Sequence, residues 1–275
     1  MIVFPNCKIN LGLHITAKRE DGYHNIETIF YPVPFYDLLE VLPATSEKKE
    51  LLHQTGITIE GSAEQNLCIK AYRLLKKDFP SIPAVTIYLH KQIPTGAGLG
   101  GGSADGVFML QLLIRQFDLT VSPEQLAHYA LTLGSDCPFF LANQPMLATG
   151  RGERMEPAPI TLKGWQLVLI LPELRVATAE AFKGCQPRTP ATSLKQIIQE
   201  PVEQWRNLLI NQFEETVFLH HPQLAQYKQL LYEQGAVYAS MTGTGSTVFG
   251  LFKSHADIET IEQQCGCRIK SFQLQ

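Results

Sequence analysis

From Pro94 to Ala104 the chain reads Pro-Thr-Gly-Ala-Gly-Leu-Gly-Gly-Gly-Ser-Ala, with five glycines in the seven positions Gly96 to Gly102. No other segment constrains the fold as strongly. Val85, Ile87 and Leu89 alternate with polar residues ahead of it, the period of a strand that runs to Lys91 and is stopped by Pro94. The apolar stretch Ser103 to Phe117 that follows reads as a helix. Glycine lets a backbone turn sharply and come close to a bulky ligand. The first amides of a helix lack partners within it, and the dipole there favours negative charge. A strand, a glycine loop and a helix N-terminus in that order suit a phosphate group, the alternative being a flexible turn or a tight strand–helix contact. The loop is not a Walker A motif, since no Lys-Ser or Lys-Thr closes it. It also lacks the acidic residue that the dinucleotide fingerprint places about 20 residues on, after a second strand.

Positive charge for a phosphate must then come from elsewhere. Cys7, Ile9, Leu11, Leu13 and Ile15 alternate with Lys8, Asn10, Gly12, His14 and Thr16, which marks a half-buried strand with Lys8, Asn10 and His14 on its polar face. Asp136 lies in Gly134-Ser-Asp-Cys-Pro-Phe-Phe140, and an acid in so apolar a turn needs a partner. Read by themselves, the two could equally be a surface lysine and a helix-capping aspartate.

The rest of the chain alternates helices and strands irregularly, which argues an α+β fold. Asp21-Gly22 makes a turn, and Tyr23 to Pro34 is extended. Ile57 and Ile59 suggest a short strand, and Asn66 to Phe79 a helix. Ser122, Pro123 and Gln125 fill the N-cap, N1 and N3 positions of another helix that ends near Gly134. Prolines and glycines cluster between residues 150 and 164, so the domains are expected at 1–155 and 156–275. Beyond lie a buried strand at Trp165 to Leu171, helical segments over Ser193 to Gln234, a hairpin around Thr242 to Ser246, a helix from Asp257 and a last strand near Arg268 to Leu274. A net charge of −3 supplies no global basic field for nucleic acid, though a local patch is not excluded by it. The six cysteines are scattered, as for reduced thiols of a cytoplasmic protein. No stretch suits a signal peptide or a membrane span. Oligomeric state is not legible.

Taken together, Lys8 on the first strand, the Pro94–Ala104 loop, Gly134-Ser-Asp136-Cys-Pro-Phe-Phe and Met241-Thr-Gly-Thr-Gly-Ser246 resemble the motifs of the GHMP small-molecule kinases. Asn6-Cys-Lys-Ile-Asn-Leu-Gly-Leu and Arg19-Glu-Asp-Gly-Tyr-His24 look like the branch whose acceptor carries a cytidylyl group. The resemblance spans nearly the whole chain. It implies a two-domain fold of mixed sheets with helices packed on one face, and ATP-dependent phosphorylation of a tertiary alcohol with Mg2+. Another acceptor of the wider family (homoserine, mevalonate or a sugar) and a non-catalytic nucleotide-binding module are the alternatives.

By the same resemblance, Asp136 takes the alcohol's proton and Lys8 is its countercharge. Pro94, Gly96, Gly98, Leu99, Gly100, Gly101, Gly102 and Ser103 cradle the phosphates, with Ser103 a possible metal contact. Asn66 and Lys91 lie near the nucleoside, where a helix N-cap and a solvated lysine are the plainer readings. Tyr23 and Phe182 sandwich cytosine, His24 meets its edge, Thr178 lies one helical turn before Phe182, and Asn10 contacts the polyol. The chain departs from the family at Ala104, which lacks a commonly present hydroxyl, and at Gly106, which costs ~1 kcal/mol against alanine.

Overall fold

The computed structural model describes residues 1–44, 50–58 and 61–275. In chain order the strands among them are β1 (Ile2–Val3), β2 (Asn6–Lys18), β3 (His24–Tyr36), β4 (Leu38–Pro43), β5 (Leu51–Gly56), β6 (Val85–Lys91), β7 (Met146–Thr149), β8 (Arg154–Pro157), β9 (Gln166–Leu171), β10 (Tyr238–Met241), β11 (Val248–Phe252) and β12 (Arg268–Gln273). The helices are α1 (Leu67–Asp78), α2 (Gly101–Gln116), α3 (Pro123–Leu133), α4 (Phe139–Ala142), α5 (Thr178–Phe182), α6 (Leu194–Ile197), α7 (Glu214–His220), α8 (Pro222–Glu233) and α9 (Ile258–Cys265).

The chain divides into two compact units, and not at residue 155. The first comprises Met1–Cys7, Phe35–Thr95 and Gly100–Asn143; the second comprises Lys8–Pro34, Gly96–Leu99 and Gln144–Gln275. The backbone therefore passes from one unit to the other within β2, within β3 and twice within the glycine loop. A composition shift reports a change of sequence character, and it does not reveal such repeated crossings.

The first unit is built on a mixed sheet in the order β1-β4-β6-β5, with β5 parallel to β6 and the other pairs antiparallel. Val85, Ile87 and Leu89 of β6 join Leu39 and Val41 of β4 in a core with α1, α2 and α3. Tyr88 and Leu51 stay exposed, so the helices cover one face. The expected Ile57–Ile59 strand differs: β5 ends at Gly56, and Ile59 lies outside the described residues. Ser122 and Gln125 form the expected capping box on α3.

The second unit holds an antiparallel sheet in the order β10-β11-β9-β12 and a second sheet in the order β2-β3-β7-β8. The hairpin at Thr242 to Ser246 forms, with Met241 opposite Val248. The helical reading of Ser193 to Gln234 resolves into α6, a 3-10 turn at Val202–Asn207, α7 and α8, with Pro201 and Pro222 at breaks where a missing N–H ends a helix.

β2 departs from a half-buried strand. Every residue from Asn6 to Ile15 is buried. Gly12 adopts φ +70°, a conformation natural to glycine. Leu13 and Ile15 beyond it join the core of the second unit. His14 is buried near Arg188 and Glu215, and burial followed by the Arg188 charge lowers its imidazole pKa.

Candidate active site

Two roots of the glycine loop lie in the first unit. Lys91 ends β6, and Gly100 caps α2 in a left-handed conformation without offering a side-chain acceptor. The leading amides of α2 therefore point out of its N-terminus. A Cβ on Gly101 would sit 2.7 Å from Ile93 Cγ2, so the first helical residue packs directly on the incoming strand. A Cβ on Gly102 would meet nothing within 4 Å, which leaves open space beside those amides.

Lys91 needs a correction. Its side chain is fully buried, with Nζ bonded to Asp37 Oδ2 and, at 2.7 Å, to Asp105 Oδ2. An ammonium enclosed by two acids has no surface to offer a nucleoside, and it is not a solvated lysine either. Asn66 is the N-cap of α1, its Oδ1 accepting the Cys68 N–H at 2.9 Å. It also lines a cleft of about 570 Å³ together with Gln54, Gly56, Thr58 and Ser62. Cap and cleft wall are thus compatible positions for one residue.

Asp136 lies half-buried in the turn between α3 and α4, where its carbonyl accepts the Phe139 N–H at 3.3 Å. The neighbouring Cys137 is buried, and burial, partly offset by a hydrogen bond with Ser103, pushes its thiol to about 12. Cys137 is therefore a neutral packing group that also touches the first turn of α2.

The loop tip, Gly96–Leu99, belongs to the second unit. Gly98 has φ +76°, and a Cβ there would lie 2.0 Å from the Thr242 carbonyl oxygen. Only glycine fits. Lys8 Nζ donates to Asn10 Oδ1 at 2.6 Å and to the Gly98 carbonyl at 3.0 Å, while the Lys8 amide donates to the Leu99 carbonyl at 2.9 Å. Thr242 Oγ1 accepts the Asn10 N–H at 3.0 Å and lies within 3.0 Å of the Gly98 carbonyl. Asn10 Nδ2 donates to Thr28 Oγ1 at 2.9 Å. Asn10 is thus buried and bonded to Lys8, Thr28 and Thr242. The Thr242–Ser246 motif is both a hairpin turn and a support for the loop.

The aromatic residues also belong to the second unit. His24 stacks on Phe182, with ring centroids 4.7 Å apart and planes 17° from parallel, and Phe182 meets Phe213 edge-on. Burial, then the Lys18 charge, lowers the His24 pKa, which favours the neutral imidazole. Tyr23 is 57% exposed, with the Arg151 guanidinium 5.1 Å from its ring centroid. His24 and Phe182 thus lie together, as residues expected around one base, and Tyr23 keeps an open face. Thr178 opens α5 in an exposed position one turn before Phe182.

Sequence reasoning passed over Asp37, Asp105, Thr28 and Arg151. Asp105 left a signal: an acid among Ala104, Val107, Met109 and Leu110 on a buried helix must have a partner. Asp37 and Thr28 left none, because their roles depend on strand register.

The GHMP kinases N terminal domain matches residues 66–144, and the GHMP kinases C terminal domain matches residues 193–269. A Bacteroides fragilis protein named 4-diphosphocytidyl-2-C-methyl-D-erythritol kinase is 51% identical over 263 residues, covering 95% of this chain and 96% of that protein. A Bacteroides thetaiotaomicron protein of the same name is 53% identical, covering 92% of each. A crystal structure of 4-(cytidine 5'-diphospho)-2C-methyl-D-erythritol kinase superposes with a TM-score of 0.83 at 30% identity over 98% of both chains. The Methanococcus jannaschii mevalonate kinase shares the fold at 12% identity, with a TM-score of 0.71 over 100% of this chain and 98% of that one.

Proposed function

This chain belongs to the GHMP kinases, and within them to the 4-diphosphocytidyl-2-C-methyl-D-erythritol kinases, and from that premise we infer that it transfers the γ-phosphoryl group of ATP to the 2-hydroxyl of 4-diphosphocytidyl-2-C-methyl-D-erythritol. The product feeds the non-mevalonate route to isoprenoid precursors. The observation that carries the reading is the shape of the glycine loop: Gly98 fits because it lacks a side chain, and open space lies beside the leading amides of α2.

The roles of individual residues follow from the chemistry. A tertiary alcohol is a weak nucleophile at neutral pH. Asp136 is our general base, accepting its proton as attack proceeds. Lys8 meets the negative charge of the transferring group. Asn10, bonded to Lys8 at 2.6 Å, holds that ammonium in place. The amides of Gly101, Gly102 and Ser103 receive the phosphates, and the cleft at Asn66 receives the nucleoside. The exposed Tyr23 ring offers a stacking face for cytosine, and the neutral His24 beside Phe182 bonds to the base edge. Thr178 contacts the same ligand.

Among the described residues no three His, Cys, Asp or Glu side chains converge as a metal cage. That fits an ion held mainly by nucleotide phosphates, as Mg2+ usually is. When bound, Mg2+ neutralises phosphate charge, and Ser103 is the residue of this chain that we assign to it. No helix among the described residues is long and apolar enough to cross a membrane. All six cysteines are free thiols, which supports assigning the reaction to the reducing cytoplasm.

An ATP-coupled acceptor panel tests the reading. Turnover with the cytidylyl substrate and none with mevalonate or homoserine is expected. Turnover of mevalonate alone would overturn it.

A further inference from the structure

We propose that Lys91, Asp37 and Asp105 form a positioning clamp for the phosphate loop, fixing its two roots so that the leading amides of α2 are preset for ATP. The inference rests on the kinase reading above and assigns that loop a support it has not had. None of the three is a catalytic residue in this account.

The three side chains are essentially inaccessible, with exposures of 0%, 0% and 3% for Lys91, Asp37 and Asp105. Burying three ionisable groups is costly, and their mutual attraction only partly offsets the desolvation. Replacing such a cluster by apolar packing often leaves stability unchanged or improves it. Stability alone is therefore a poor reason for its presence, and its location supplies a better one. Lys91 ends the strand that leads into the loop. Asp37 Oδ1 accepts the amides of the next two residues, Gln92 at 2.6 Å and Ile93 at 2.9 Å. Its other oxygen holds Lys91, and Lys91 reaches across to Asp105 at 2.7 Å, in the second turn of α2. One charged cluster thus ties the entry of the loop to its exit.

The remaining contacts point the same way. Gly101 packs on Ile93 with no room for a methyl, so a shift of the clamp is transmitted directly to the helix start. Asp105 Oδ1 has no hydrogen-bond partner among the described residues. Its polar ties run to Lys91 and to Asp37, both at the loop's entry. Preorganised amides bind phosphate without reorganising first, and small displacements of them are costly.

The test is steady-state kinetics on Asp105→Asn, which keeps the side chain's size and removes its charge. We expect the ATP KM to rise about ten-fold, with the acceptor KM unchanged and kcat within about three-fold of wild type. Unchanged KM values with a lowered melting temperature would mean the cluster only stabilises the fold, and would overturn the proposal. Should Asp105→Asn fail to fold, Lys91→Met combined with Asp105→Leu removes both charges together, and that folded variant is read in the same way. An ATP-selective rise supports the clamp, and a wild-type ATP KM overturns it. The wild type tests the underlying reading separately, since absence of ATP turnover there sinks the kinase assignment itself.

Discussion

The two lysines beside the glycine loop are held by different physics. In the first unit Lys91 is enclosed by two carboxylates with no side-chain exposure. In the second unit Lys8 is gripped by an amide oxygen and a backbone carbonyl, with the face of Phe30 5.0 Å away. Lys91 is committed to two carboxylates, whereas the oxygens of Asn10 and Gly98 fix the direction of the Lys8 ammonium. The difference in surroundings matches the roles proposed above, Lys91 as a fastener and Lys8 as the lysine assigned to the chemistry.

Substitution at the two positions should separate those roles. Lys8→Met is expected to lower kcat by about 10²–10³. Asp136→Ala should lower turnover by about 10²–10⁴ while calorimetry still detects ATP binding. Lys91→Met should instead act on the fold, losing about 3–5 kcal/mol in denaturant titration because two buried acids lose their cation. Near-normal turnover in Lys8→Met, or an undiminished stability in Lys91→Met, would erase the distinction.

A smaller effect sharpens the contrast between nucleotide and acceptor features. Tyr23→Ala should raise the acceptor KM about ten-fold, the worth of one stacked base, and leave the ATP KM alone. Equal rises in both would argue against stacking.

The smallest expected effect is on pH. Asp105 faces Lys91 of β6, Asp37 at the β3–β4 junction and the Cys68 thiol of α1. Burial, partly offset by Lys91, pushes its carboxyl to about 7 from the ordinary 3.8. A folded state that keeps a proton which the unfolded chain releases loses stability as pH rises between those values, and the loss ends above the folded value. The wild-type melting temperature should therefore fall more steeply from about pH 5 to about pH 7.5 than that of Asp105→Asn. Parallel profiles would show that Asp105 does not titrate in this window.

Much of this was legible in residue order because it depends on local chemistry. The glycine loop, the Ser122–Gln125 capping box and the Thr242 hairpin are short-range devices with short-range signatures. Features that depend on register were not legible. The burial of both faces of β2 from Asn6 to Ile15 was not visible in its alternation. Lys91 looked like a surface lysine because its partners lie 54 and 14 residues away. The bonds of the Asn10 amide to Lys8 and Thr28 depend on register in the same way. The direct stacking of His24 on Phe182 likewise left no mark in residue order.

Phosphorus NMR on the purified protein with ATP, Mg2+ and 4-diphosphocytidyl-2-C-methyl-D-erythritol tests the central assignment most directly. The account predicts ADP and a new phosphomonoester resonance on the acceptor, appearing together and in equal amounts. ATP hydrolysed to free phosphate, or an unchanged acceptor spectrum, would contradict it.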